Sequence, residues 1–470
     1  MVIVKRIAVL LLTVFTLNAC FEDLDDTPIS TQEINDFVWR GMNVNYLYKD
    51  NVPDLANDRF TSEADYGNFL SAFQTPETLF ESLIYDRDNI DKFSWITRDY
   101  IALEQFLNGV SKSNGLEFDF YVHPGRPTEV FGVIRLVLKN SPAESLGLQR
   151  GLIFNAVNGI TLTEDNFSEL LGDDTYTLNF ASYDDNETTT LLDDIIESNG
   201  ASVTLTNTTF NENPVYRSEI LEVEGQNVGY LLYNGFTADY NLQLIDAFSM
   251  FQSSGIQHLV LDLRYNPGGS VNTAVLLGSM ITGQFNGRVF TKLEYNDDLR
   301  GNDRIYNFVN SYPGITLPTL NLNSLYILTT DASASASEMV INSLAPYIDV
   351  LQIGQQTTGK SQASVTIYDS PDFGRRGANP RHTYALQPLV AKTVNSLGQD
   401  VPNIGLAPSI PINENPSDYG VLGDMNEPLL ATAIQHIIDN GRMMAPESLP
   451  YTKLMNTVDL EPYHTNMYID

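Results

Sequence analysis

The chain has 470 residues, 43% of them hydrophobic, which is enough to bury several cores and points to two to four domains. Its formal charge of −33, from 59 acidic against 26 basic side chains, excludes a nucleic acid as the main partner, because a phosphate backbone would be repelled. The acidic residues are scattered as on a solvated surface and form no long binding tail.

Taken in chain order, the first feature is an address. Lys5 and Arg6 precede an apolar run from Ile7 to Leu17 that is too short to span a bilayer, and Asn18, Ala19 and Cys20 follow. Cys20 is the single cysteine, so an intramolecular disulfide and a structural thiol site are both excluded. Leu17-Asn18-Ala19-Cys20 resembles a bacterial lipobox, with Asn18 unusual at its place. The resemblance implies a signal peptide over 1–19 and lipidation of Cys20. It further implies an anchor in the outer membrane of a bacterial envelope, on its periplasmic or surface face. A plain secretory signal is the competing reading. Residues 20–30, rich in Asp and Glu, read as an acidic tether.

Residues 31–112 read as a small helical domain. Phe37, Val38, Met42 and Tyr46, and later Leu79, Leu83 and Ile84, recur at three- and four-residue spacing. Thr75-Pro76-Glu77-Thr78 has the marks of a helix start, with Pro in the first turn and acidic charge at the positive end of the dipole. No catalytic cluster is evident in this stretch.

Residues 113–207 change to short β-like runs, Phe118 to Val122 and Val130 to Leu138, followed by Ser141-Pro142-Ala143-Glu144 and by Gly151-Leu152-Ile153-Phe154. This stretch resembles a PDZ domain, inserted in or preceding the α/β part, although Leu152 stands where such domains usually carry Asp. The resemblance implies strand addition of a peptide and capture of its terminal carboxylate by backbone amides, here expected around Phe131, Gly132 and Val133. A β-rich spacer that binds nothing is the plainer alternative.

Residues 208–445 alternate strands and helices. Val228 to Tyr233 reads as a strand, Leu242 to Phe251 as a helix, and His258 to Arg264 as a strand covered on both faces. Asn266-Pro267-Gly268-Gly269 is a turn, and a helix follows from Val271 to Ile281. A second strand–turn–helix unit runs from Leu325 through Asp331-Ala332-Ser333-Ala334-Ser335-Ala336-Ser337-Glu338 to about Tyr347. Amides at such helix starts can face an anion. Tyr384 to Lys392 reads as a further strand, Leu422 to Leu430 as the approach to a last helix, and residues 446–470 as a loose tail.

The serine run alone reads as a helix cap. Its company, the Asn-Pro-Gly-Gly turn upstream and Thr357-Thr358-Gly359-Lys360 downstream, resembles the C-terminal processing, or tail-specific, serine peptidases. That resemblance runs from about Gly115 to Ile437 and implies a ClpP/crotonase-like α/β core. It also implies Ser335 as nucleophile, Lys360 as base, and an oxyanion hole from the N–H groups of Gly269 and Ala336. A serine needs a base, and a lysine is one only when neutral, so burial must lower its pKa. The family's usual Gln four residues after the lysine is replaced by Ser364; if 360–368 were one strand, Gln362 and Ser364 would share the face of Lys360, and either could orient the amine.

A Ser-His-Asp triad is the rival arrangement. His258 and Asp262 lie on one strand, roughly 13 Å apart along its axis, too far for a direct hydrogen bond. No His, Cys, Asp or Glu group has metal-ligand spacing and no nucleotide fingerprint appears, so no cofactor is expected. Two functions follow. The first is an endopeptidase acting on unfolded or C-terminally exposed protein and peptide substrates, recognised through the PDZ domain. The alternative is a catalytically weak or inactive PDZ lipoprotein that serves as a peptide-binding module. Nothing in the sequence sets the oligomeric state.

Overall fold

A computed structural model describes residues 28–439, 441, 449–456 and 467–469; Cys20 and the signal region lie outside the described residues. The first helix, Thr31–Asn45, starts at Ser30, whose hydroxyl accepts from the Glu33 N–H (3.3 Å) while the Glu33 carboxylate accepts from the Ser30 N–H (2.9 Å). Its apolar stripe, Ile34, Phe37, Val38 and Met42, packs with Leu79 and Phe80 of Pro76–Ser82. That helix begins at Thr75, whose hydroxyl accepts from the Thr78 N–H. Ile367 and Leu386 of the α/β part complete the same cluster, and strand Trp95–Thr97 pairs antiparallel with Ala385–Gln387. The helical domain is therefore joined to the core by both packing and backbone.

A two-stranded neck, Val110–Ser113 against Thr208–Asn211, leads into and out of a β-rich domain. Residue 113 lies on this ladder and residue 207 immediately precedes its second strand. The domain's sheet has the order Lys453–Asn456, Leu116–His123, Arg126–Val137, Ile153–Val157, Thr175–Asp184, Ile195–Thr206, with every neighbour antiparallel. Phe118, Phe120, Phe154 and Phe167 fill its core.

The α/β part carries two six-stranded sheets among the described residues. One has the order Val215–Val223, Gln226–Tyr233, His258–Asp262, Ser324–Thr329, Asp349–Gly354, Ile410–Pro411, parallel from the second strand onward. Helices Asn241–Ser253, Val271–Thr282 and Ala336–Leu344 share one apolar cluster with it, and Pro428–Ile438 packs in a second, which explains why its strands read as near-continuous apolar runs. The other sheet has the order Gly269–Ser270, Met467–Tyr468, Gln362–Ser364, Leu389–Val394, Val289–Tyr295, Arg304–Asn307.

A charge cluster joins the β-rich domain to this core. Arg150 donates to the Tyr265 hydroxyl (2.6 Å) and to Glu414 (2.5 Å), Arg135 pairs with Glu117 and Asp119, and Arg264 pairs with Asp262, Glu414 and Glu427. All three arginines are buried.

Three expectations are corrected. The strand read over 384–392 is two strands, Ala385–Gln387 and Leu389–Val394, in different sheets; Pro388 between them has no N–H to continue a ladder. The single strand over 360–368 is likewise two, Gln362–Ser364 and Ile367–Tyr368. The last residues are not a loose tail throughout, because Lys453–Asn456 and Met467–Tyr468 are each paired into a sheet. Four and two residues are too few to show a periodicity; their order comes from the strand edges they fill.

Candidate active site

The two strand–turn–helix units meet at Ser335. It stands at the start of Ala336–Leu344 with φ 65° and ψ −114°, a left-handed backbone that a non-glycine residue adopts only under constraint. The constraints are visible. Ala334 N–H donates to the Asn266 carbonyl (3.1 Å), the Ser337 hydroxyl to the same carbonyl (2.9 Å), and the Ser333 hydroxyl to the Leu263 carbonyl (2.8 Å). The serine-rich run is thus stitched onto the upstream turn, and the serines flanking Ser335 are structural. Ser335 Oγ itself is buried and has no hydrogen-bond partner among the described residues.

Glu338, in the first turn of that helix, ties Ser335 to Lys360. Its Oε2 accepts from the backbone N–H of both Ser335 (2.8 Å) and Lys360 (2.9 Å), and its Oε1 from the Gly359 N–H (2.7 Å) and the Thr357 hydroxyl (2.5 Å). Residues 25 apart in sequence therefore share one carboxylate oxygen. Burial pushes the Glu338 carboxyl up, and the hydrogen bonds from Thr357, Ser335, Lys360 and Gly359 oppose that rise.

The Lys360 side chain is fully buried, with Nζ 5.1 Å from the centroid of the Phe93 ring. Burial lowers its pKa from the ordinary 10.5 to about 7, against the charges of Asp91 and Glu338, which raise it. Asp91 belongs to the helical domain. Its carboxylate accepts from the Tyr46 hydroxyl (2.7 Å) and from the N–H groups of Phe93 (3.1 Å) and Ser94 (2.8 Å), so the loop that carries it closes over the lysine.

Upstream, Asn266 orders the glycine turn: its amide donates to the Tyr233 carbonyl (2.8 Å) and its side-chain oxygen accepts from the Gly268 N–H (3.0 Å). Gly269 has φ +133°, and a Cβ there would lie 2.4 Å from the Phe236 carbonyl oxygen, so only glycine fits. A cavity of about 150 Å³ adjoins the turn, lined by Phe106, Leu107, Phe236, Gly268 and Gly269 among others.

Ser335, Ala336 and Lys360 thus gather around Glu338, and Gly269 lies in the turn stitched to the serine-rich run. Gln362 and Ser364 are buried next to Lys360 in sequence, but a bulge between Ala363 and Ser364 breaks their alternation. The Gln362 amide donates to the Tyr48 hydroxyl (3.1 Å), and the Ser364 hydroxyl to the Met467 carbonyl (3.1 Å). Phe131, Gly132 and Val133 are not an amide loop. They sit mid-strand, paired to Tyr121, Phe120 and Asp119 on one side, and Gly132 and Val133 also to Phe154 and Ile153 on the other. Gly132 is there because the Phe154 ring crosses it, 2.2 Å from where a Cβ would stand.

His258 contacts Gln226, while Asp262 serves Arg264 and Tyr230, so they form no pair. His382 does meet a carboxylate, Asp369 at 3.1 Å, but beside Phe37 and Arg40 of the helical domain. Asp91, Phe93 and the clamp of Glu338 escaped the sequence reading. For Asp91 no signal was present; for Glu338 the signal is its place three residues after Ser335, in the first turn of the helix.

An α/β core in which a strained serine opens a helix is the arrangement of a serine hydrolase. The pattern of Peptidase family S41 matches residues 227–412, and that of the Peptidase S41 N-terminal domain residues 33–95. A solved structure of an S41 protease from Bacteroides fragilis is 30% identical, covering 86% of this chain and 97% of its own, with a TM-score of 0.68. A carboxyl-terminal-processing protease of Picosynechococcus is 26% identical over 328 residues, 69% of this chain and 70% of its own. A CtpA-like serine protease of Staphylococcus aureus is 24% identical over 233 residues, 49% of this chain and 42% of its own. The chain belongs to peptidase family S41 and is a serine peptidase.

Proposed function

We propose that this peptidase cleaves protein chains by a serine–lysine mechanism, with Ser335 as nucleophile and Lys360 as base. The observation that carries the reading is the burial of Lys360 against Phe93, which lowers the amine's pKa to about 7, beside a Glu338 carboxylate that accepts from the backbone N–H groups of both Lys360 and Ser335. Neutral Lys360 takes the Ser335 hydroxyl proton as Oγ bonds to the scissile carbonyl carbon and negative charge moves to the carbonyl oxygen. The N–H groups of Gly269 and Ala336 are the donors assigned to that oxyanion, each contributing on the order of 3 kcal/mol. Collapse breaks the C–N bond while Lys360 returns its proton to the leaving amine. Water then repeats the sequence on the acyl-serine.

Residues 113–207 are read as a PDZ domain that holds a substrate's C-terminus by strand addition. The strand suited to this is Leu116–His123, whose outer side carries Lys453–Asn456, in place of the central-strand residues 131–133. On the same reading a lipid on Cys20 anchors the protein in the bacterial outer membrane, and a Cys20→Ser chain released from the membrane fraction would support that anchor.

The test is cleavage of an unfolded reporter with an apolar C-terminal tail by wild type, Ser335→Ala and Lys360→Ala across pH. Wild type is expected to cut with a rate rising through about pH 7, and each variant to lose at least about 10³-fold. A variant that cuts like wild type removes its residue from the mechanism; an inactive wild type favours the peptide-binding module.

A further inference from the structure

The strand Met467–Tyr468 lies between two backbone edges that both belong to the site. On one side it pairs in parallel with Gly269–Ser270, and on the other Tyr468 pairs in parallel with Ser364 in the strand that follows Lys360. Ile469 N–H donates to the Ser364 carbonyl (3.1 Å). Neighbouring strands stand about 4.8 Å apart, so without this segment the two edges would face each other across roughly 10 Å, the width of one extended peptide. An extended peptide can satisfy both edges, because each presents backbone donors and acceptors.

The side chains of the segment alternate as a bound peptide's would. Met467 is fully buried in the main apolar cluster with Phe236, Val271 and Ala363, while Tyr468 lines the cavity beside Gly269 and donates to the Leu107 carbonyl (3.4 Å). The Met467 carbonyl is engaged by the Ser364 hydroxyl. A second stretch of the same late region behaves alike on the β-rich domain. Lys453–Asn456 pairs antiparallel with the edge strand Leu116–His123, Leu454 and Met455 pack against that domain's core, and Lys453 bridges Asp119 (2.9 Å) and Asp331 (2.7 Å), four residues before Ser335.

We infer that these two strands are an intramolecular peptide occupying the enzyme's own substrate-binding edges, and that a protein substrate must displace Met467–Tyr468 to reach the site. The inference rests on the proposed cleavage of extended chains. The segment is a resident competitor: its Met467 carbonyl is held by the Ser364 hydroxyl, and the strand runs parallel to both neighbours. A substrate sees only the fraction of molecules whose slot is open, so its apparent affinity is reduced by that fraction.

Two measurements on the full chain test this. Met467→Asp places a charge where the segment is fully buried and expels it, leaving the residues around Glu338 untouched. It is expected to lower KM for an unfolded reporter about tenfold with kcat changed less than about twofold. The second readout needs no turnover: a fluorescein-labelled peptide spanning residues 461–470, followed by anisotropy, is expected to bind Ser335→Ala/Met467→Asp at least about tenfold more tightly than Ser335→Ala. Equal peptide binding by the two proteins overturns the inference even if wild type cleaves. A binding difference without cleavage by either active-site-intact chain keeps the slot and removes the serine–lysine reading. Loss of the residues after Met467 from wild type, but not from Ser335→Ala, by intact mass, would make the segment a substrate and overturn its role as competitor.

Discussion

Two buried cations in this fold are treated in opposite ways. Arg264, at the end of the strand before the glycine turn, is fully buried yet meets Asp262, Glu427 and Glu414. Burial alone would lower its pKa, but those carboxylates raise it well above the ordinary value. Lys360 is buried equally, but against the Phe93 ring, with the charges of Asp91 and Glu338 too weak to offset desolvation. Burial therefore lowers a cation's pKa where desolvation outweighs the charges facing it, and fails to where they outweigh desolvation. The same molecule shows both halves of that rule.

The first way to break the comparison is to unpair Arg264's partners. Arg264→Leu leaves three carboxylates in a dry interior and is expected to cost about 3–5 kcal/mol in denaturant unfolding, enough to threaten folding of the α/β part. A loss below about 1 kcal/mol would mean that the cluster is hydrated, and that its difference from the lysine pocket is smaller than the burial implies.

The opposite sign is expected at Lys360. Its folded pKa of about 7 lies below the unfolded 10.5, so between those values the unfolded chain binds more protons and wild-type stability falls as pH drops, levelling off below about pH 7. Lys360→Met removes that penalty. The variant should be more stable than wild type at pH 7 by up to a few kcal/mol, with the gap closing toward pH 10. Equal stability at neutral pH would show that the ammonium is solvated.

Gly269→Ala sharpens the comparison from the side of the developing oxyanion. The added methyl would meet the Phe236 carbonyl at 2.4 Å and force the turn to move, so kcat is expected to fall about 10²–10³-fold. The pH at which the rate rises should stay in place, since the lysine pocket is untouched; a shifted limb would tie the glycine turn to the amine.

What the sequence made legible follows the same division. Ser335, Lys360, Gly269 and Ala336 lie in short runs whose composition is itself the geometry: glycine where a Cβ would strike Phe236, and serines that stitch one turn to the next. Helices with periodic faces, such as Thr31–Asn45, were equally plain. Gly132 was misread because a glycine inside an apolar run marks either a loop or a close crossing, and only the position of Phe154 decides. Asp91 was invisible because it sits in a polar stretch with Asp86 and Asp88, and its side-chain partner Tyr46 lies 45 residues earlier. Met467–Tyr468 has two residues and no pattern; its place is set by the edges of Gly269–Ser270 and Ser364.

Asp91 supplies the smallest effect and the most direct probe of what sets the lysine apart. An asparagine can keep one side-chain oxygen for the N–H groups of Phe93 and Ser94 and turn its amide toward the Tyr46 hydroxyl, so Asp91→Asn removes a charge with little change of shape. That charge is the first of the two opposing the desolvation of Lys360. Without it the amine should lose its proton more readily, and the rising limb of kcat/KM should move about 0.5–1 unit to lower pH. Glu414→Gln is the matched control, since Glu414 contacts Arg150, Arg264 and Tyr265 and should leave the limb where it is. If both variants left it unmoved, the low pKa of Lys360 would rest on desolvation alone, and the helical domain would contribute only the Phe93 ring that excludes water.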